Sequence, residues 1–148
     1  MEWLRIAMVL LVISRAIYTD MKKGIIENRT MLTGLIAGSV WMVFYKGTEG
    51  LIDSCKMILI ILAMLFLLFL MKGLGAGDVK LFCVLAAFYP ENVIEMVVLA
   101  FIVAAAIVWM RMLYRFIQKV PIWISQETMN FSIPIGISTV MVMVYQAI

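Results

Sequence analysis

The sequence contains no histidine, and this single absence removes Ser-His and Cys-His nucleophilic catalysis and imidazole-based metal ligation from the available chemistries. Cysteine is nearly as scarce. Cys55 and Cys83 are the only two, they form no CxxC pair, and both lie within or beside apolar stretches, so neither a zinc site nor a disulfide framework is indicated. Each is read as a buried free thiol. Charge is also thin: 14% of the 148 residues are charged and 66% are apolar, against about half apolar in a soluble domain. A soluble core has no place for that excess, whereas a bilayer takes up helices of roughly 20 apolar residues without requiring a polar face. The formal net charge of +3 does not indicate a nucleic-acid partner, because the twelve Lys and Arg residues fall in short clusters between apolar runs.

What is present is a succession of apolar runs that must be placed by length and punctuation, since residues that are apolar all round carry no periodicity. Six segments emerge, at 3–19, 30–45, 51–71, 79–89, 93–114 and 131–148. The expected architecture is therefore all-α: a polytopic membrane helical bundle of about six transmembrane helices, forming one membrane-embedded domain over residues 1–148. The first segment is not a secretory signal, because Lys22, Lys23 and Arg29 follow it while Glu2 and Arg5 cancel in front of it. With the N-terminus outside, Lys22, Lys23, Arg29, Lys72, Lys80, Arg111, Arg115 and Lys119 fall on the cytoplasmic side and Arg5, Lys46 and Lys56 on the outer side, as the positive-inside rule favours. Arg15, inside the first segment, is placed to snorkel to the inner interface.

The fourth segment is too short. Residues 79–89 rise only about 16 Å as a helix, roughly half the hydrocarbon thickness. The loop Gly73-Leu74-Gly75-Ala76-Gly77 before it is expected to dip inward and line a watery cavity, the only setting in which irregular backbone is tolerated at depth. The stretch 115–130 mixes Phe116, Pro121 and Trp123 with polar residues and reads as an interfacial loop. Gly34 and Gly38 form a GxxxG, the mark of close helix packing.

Acids near membrane segments are functional candidates by default. Glu2, Glu49, Asp53, Glu91 and Glu95 sit near outer ends, and Glu27 and Glu127 in inner loops, where solvation accounts for them. Asp20 and Asp78 differ: one closes the first segment and the other opens the fourth, at the same membrane level. Capping would explain Asp78, since Asp is favoured at helix N-termini. It does not explain Asp20, because the helix dipole disfavours a carboxylate at a C-terminus. Brought together, two carboxylates raise one pKa and give a protonated acid beside an ionised base, as peptide hydrolysis requires. The glycines before Asp78 allow close backbone approach but form no phosphate loop, as their spacing to Lys80 does not fit GxxxxGK[ST].

These residues carry a resemblance. Lys72-Gly73-Leu74-Gly75-Ala76-Gly77-Asp78-Val79-Lys80-Leu81 resembles the GxGD signature of type IV prepilin peptidases, and the stretch from Tyr18 to Thr30, with Asp20, Lys22, Lys23 and Asn28, resembles their first catalytic segment. Glu27 stands where that family usually has proline, and Thr30 comes one residue early. Ser132-Ile133-Pro134-Ile135-Gly136 is similar to the start of the family's last helix. The resemblance implies an aspartyl protease of the inner membrane, without metal or other cofactor. It would remove the basic leader of a prepilin-like protein substrate at the cytoplasmic face, after a glycine. By the same resemblance Asp20 and Asp78 are the catalytic carboxylates, and Gly75, Gly77 and Lys80 shape the substrate-side loop. Longer members carry two CxxC pairs associated with N-methylation. This chain has no counterpart and is similar to the short form found with tight-adherence (Flp) pili. The alternatives are a preflagellin-type peptidase with the same paired aspartates, or, in another class, a small proton-coupled transporter with its acids at mid-membrane.

Overall fold

A computed structural model describes residues 2–117 and 131–147. Their regular structure is entirely helical, in the order α1 (Glu2–Lys23), α2 (Asn28–Leu70), α3 (Ala76–Phe88), α4 (Val93–Ile117) and α5 (Ser132–Ala147). Most of the expected interfacial loop, residues 118–130 with Lys119, lies outside the described residues.

Helix α1 runs four residues past its expected end and stops where Gly24 takes φ +65°, its N–H donating to the Asp20 carbonyl at 2.8 Å. That is the αL motif, in which a glycine without a Cβ closes the helix and satisfies a terminal carbonyl. Lys22 and Lys23 in the last turn complement the helix dipole.

The second and third expected segments form one helical element, so the described residues make five helical elements where six transmembrane helices were expected. The reason is local. Only Gly47 (φ +67°, ψ −149°) leaves helical geometry inside α2, in a conformation essentially reserved for glycine, and the residues on either side keep helical bonding. The chain nevertheless reverses there: Gly34 and Gly38 lie against Val84, Ala87 and Phe88 of α3, whereas beyond Gly47 the Ser54 hydroxyl donates back to the Ala87 carbonyl at 3.2 Å. The first half of α2 thus runs alongside α3, and the second half returns antiparallel to it.

Helix α3 is short because it is enclosed. Val79 and every residue from Leu81 to Phe88 are buried, with α1, α2, α4 and α5 all packed around it, so it needs neither a thinned bilayer nor a polar face. The GxxxG of α2 makes this enclosure possible. A Cβ at Gly34 would fall 2.8 Å from Val84 Cγ1, and one at Gly38 would fall 2.8 Å from Ala87 Cβ and 3.1 Å from its backbone carbon.

The outward faces have the opposite chemistry from those of a soluble protein. Leu11, Leu32, Phe44, Leu59, Leu67 and Trp109 are all exposed. Helices α2 and α4 are long and apolar enough to cross a bilayer, yet only 17% and 28% of their most apolar windows are buried, so they are not the covered core helices of a soluble domain. Such outward faces suit a bilayer better than water. Cys83 is buried as expected, but Cys55 is exposed on the returning half of α2, because apolar surroundings in sequence do not distinguish lipid-facing from protein-facing positions.

At the end of α1 away from Asp20, Arg5 is 6% exposed. Its guanidinium lies 4.0 Å from the Tyr89 ring centre and 5.7 Å from that of Tyr45, and it pairs with Glu91 at 3.4 Å. Glu91, read from sequence as merely solvated, is instead part of a clamp joining α1, the α2 reversal and the α3–α4 turn. A desolvated cation between rings is worth about 2 kcal/mol.

Gly38→Ala is expected to lower stability by about 1–3 kcal/mol, as overpacking against backbone does. The measurement is thermal exposure of the buried Cys83 thiol to a thiol-reactive dye in a Cys55→Ala background, where Gly38→Ala should label at lower temperature than its parent.

Candidate active site

Asp20 and Asp78 lie at the end of the bundle opposite the Arg5 clamp, near enough that the charge of Asp20 acts on Asp78. Asp20 lies in the last turn of α1, half-buried, and its carbonyl closes the helix through Gly24. Its side chain accepts a hydrogen bond at Oδ2 from the Ser132 hydroxyl at 2.5 Å, a contact between residues 112 positions apart. Ser132, the first residue of α5, is fully buried.

Asp78 is not the N-cap of α3. Gly75 holds that position in extended geometry (φ −75°, ψ 148°), and Asp78 follows as the third helical residue, its carboxylate accepting from the Gly75 backbone N–H. This is half of a capping box, in which an acid one turn into the helix reaches back to satisfy the N-cap amide. Asp78 lies outside both long apolar helices. Burial, foremost, and the charge of Asp20 raise its pKa from 3.8 to about 6, against the smaller opposing effect of the Gly75 hydrogen bond. Asp20, on α1, is therefore near enough for its charge to act on Asp78, on α3.

Of the remaining expected site residues, Gly75 stands beside Asp78, whereas Gly77 and Lys80 meet other partners. A Cβ at Gly75 would stand 2.9 Å from Asp78 Oδ2, so the absence of a side chain there leaves the carboxylate its position. One at Gly77 would stand 3.1 Å from the Ile26 side chain, where the α1–α2 loop presses on the first turn of α3. Lys80 is turned away to Asn28, donating to its Oδ1 at 2.8 Å and tying α3 to the start of α2. The loop itself is shaped by the end of α2. Lys72 takes φ +59°, its N–H bonds to the Phe69 carbonyl at 3.0 Å, and the Gly73 N–H bonds to the Leu68 carbonyl at 3.0 Å, the two bonds of a Schellman motif.

The loop is open to solvent: Gly73, Gly75 and Ala76 are exposed and only Leu74 turns inward. A cavity of about 340 Å³ instead lies along α1, between Arg15, Tyr18, Thr19, Lys22, Lys23 and Glu27. Lys23 donates to Glu27 at 2.6 Å and holds that carboxyl below its usual range.

The residue missed by sequence reading is Ser132. The pattern Ser132-Ile133-Pro134 identified a helix start, but no local signal gives a serine's partner on another helix. The only available hint was level: a polar residue at the head of the last helix, at the same end of the bundle as Asp20.

The model of the type IV leader peptidase family matches residues 6–110, a stretch that includes Asp20 and Asp78 and ends before Ser132. No curated protein and no solved structure matches the chain.

The raised pKa of Asp78 has a thermodynamic sign. Stability associated with its protonated carboxyl is present in full below 3.8, the ordinary value, and is lost as pH rises through about 6. Asp78→Asn is expected to escape that loss. In detergent micelles it should unfold at a higher temperature than the parent at pH 7.5, by on the order of 1–2 kcal/mol, and the difference should largely vanish at pH 4.5.

Proposed function

Because the chain belongs to the type IV leader peptidase family, we propose that it is a membrane aspartic endopeptidase that cuts the basic leader from prepilin-like substrates at the cytoplasmic membrane face, using Asp20 and Asp78. The observation that supports this reading is that the two carboxylates, from helices α1 and α3, share one end of the bundle, where the charge of Asp20 acts on Asp78. The whole chain is read as one membrane-embedded, multi-pass peptidase domain with its N-terminus outside.

The chemistry follows from the unequal environments of the pair. Asp78, with its pKa raised to about 6, is the member that holds a proton, and Asp20 is the base. A water between them gives a proton to Asp20 as its oxygen bonds to the scissile carbonyl carbon, and Asp78 protonates the carbonyl oxygen. The tetrahedral diol then collapses: Asp20 returns its proton to the leaving nitrogen as the C–N bond breaks, and Asp78 recovers its own from the hydroxyl. Both carboxyls finish as they began, and no other reactant is consumed.

Gly75 and Gly77 contribute by the absence of side chains, one beside Asp78 and the other beneath Ile26. Lys80 acts on the loop through Asn28. A proton-coupled transporter is less well supported, since a relay needs acids distributed across the membrane, whereas these two stand together at one end.

Asp20→Asn and Asp78→Asn are each expected to abolish leader cleavage of a prepilin, by at least about 10²–10⁴-fold, while purifying as folded protein. Mass spectrometry of the product decides it, and full processing by both variants would rule the assignment out. Gly75→Ala should fold but displace the Asp78 carboxylate, lowering kcat by on the order of 10²-fold.

A further inference from the structure

One contact at the site has no role in the chemistry above. The Ser132 hydroxyl donates to Asp20 Oδ2 at 2.5 Å from the first turn of α5. The side chain is fully buried, so water does not compete for its proton. A buried hydroxyl takes whatever partner the fold supplies, and a serine near a helix start ordinarily turns back to its own helix's amides. This one reaches across to another helix.

Its position is held from two sides. One turn further along α5, Gly136 lies so close to α1 that a Cβ there would fall 2.8 Å from Ile17 Cδ1 and 3.3 Å from Ile13 Cγ2. On the other side the Phe131 ring packs at a tilt against Phe101 of α4, with ring centres 5.2 Å apart. The donor is thus fixed by packing before any substrate arrives, as a preorganised site requires.

We propose that Ser132 is a positioning residue for the cleavage reaction: its hydroxyl engages Oδ2 of Asp20 and so leaves Oδ1 as the oxygen that takes the proton from water. The role is orientational. A carboxylate on a free side chain rotates about χ2, a broad and roughly two-fold torsion, and presents either oxygen in either direction. With Oδ2 engaged by a buried donor, the carboxylate plane and the basic lone pairs of Oδ1 have one direction. The inference rests on the reading of Asp20 as the general base, and it adds a third helix, α5, to a site otherwise built by α1 and α3. Ser132 lies beyond the family-matched stretch.

The test is steady-state cleavage of a prepilin by the full-length protein in detergent. Ser132→Ala is expected to lower kcat about 10- to 100-fold, the range for losing a hydrogen bond to a charged group, with KM within about twofold of the parent because substrate binding is untouched. Ser132→Thr, which keeps the hydroxyl, should recover most of the loss. Should Ser132→Ala fail to give a monodisperse protein, the nearly isosteric Ser132→Cys, with its weak S–H donor, is expected to show the same fall in kcat. Parent-level kcat in Ser132→Ala, or in Ser132→Cys where that stands in, overturns the proposal; so does an equal fall in the Thr variant, or a loss confined to KM. Asp20→Asn and Asp78→Asn run alongside separate the two failures. Inactive Asp variants with a fully active Ser132→Ala refute only the positioning role, whereas active Asp variants refute the catalytic reading beneath it.

Discussion

The close approach of two helix backbones at Gly34 and Gly38 is the constraint from which the rest of the architecture follows. Helix α3 is apolar on every face and only 13 residues long, so it is stable only when surrounded by other helices. It is surrounded only because the first half of α2 presents bare backbone where Val84, Ala87 and Phe88 need room. In a bilayer, helix association draws on van der Waals contact and interhelical hydrogen bonds more than on a hydrophobic drive. Small residues and buried bonds such as Ser54 to Ala87 therefore carry weight that large apolar side chains carry in water. Enclosing α3 also sets where its first turn ends up, and Asp78 with it.

The two ends of the bundle divide the work. At one end Arg5 is sandwiched by Tyr89 and Tyr45 and paired with Glu91, fastening α1 to the α2 reversal and to the α3–α4 turn. At the other, a half-buried carboxyl is held with its pKa raised by burial and by a like charge, an arrangement that disfavours the folded state above pH 6. Strain of this kind persists only where the surrounding structure over-determines it, and the clamp, the GxxxG contact and the wound loop together supply that determination.

Much of this was legible in the sequence because it depends on residue type at short spacing. Gly34 and Gly38 were recognisable as a packing motif, and Asp20 stood out because capping does not explain an acid near a helix C-terminus, while Asp78 drew attention through its place after spaced glycines at the same membrane level. The reversal was harder to place: the sequence reading ended one segment at residue 45 and began the next at 51, whereas helical bonding runs up to the turn at Gly47 from both sides. The pairing of Arg5 with Glu91 and of Ser132 with Asp20 was not legible, since both join residues more than 80 positions apart and neither member advertises its partner. Cys55 was misjudged for a physical reason as well: lipid and protein interior are equally apolar, so composition cannot tell one from the other.

The turn between α2 and α3 contains almost no slack. From Met71 to Gly73 successive amides are bonded back to Leu67, Phe69 and Leu68, and Gly75 then begins α3 at once. Asp78 is consequently geared to the returning half of α2. Prising it away from Asp20 therefore means either unwinding the Schellman turn or carrying the returning half of α2 along with it.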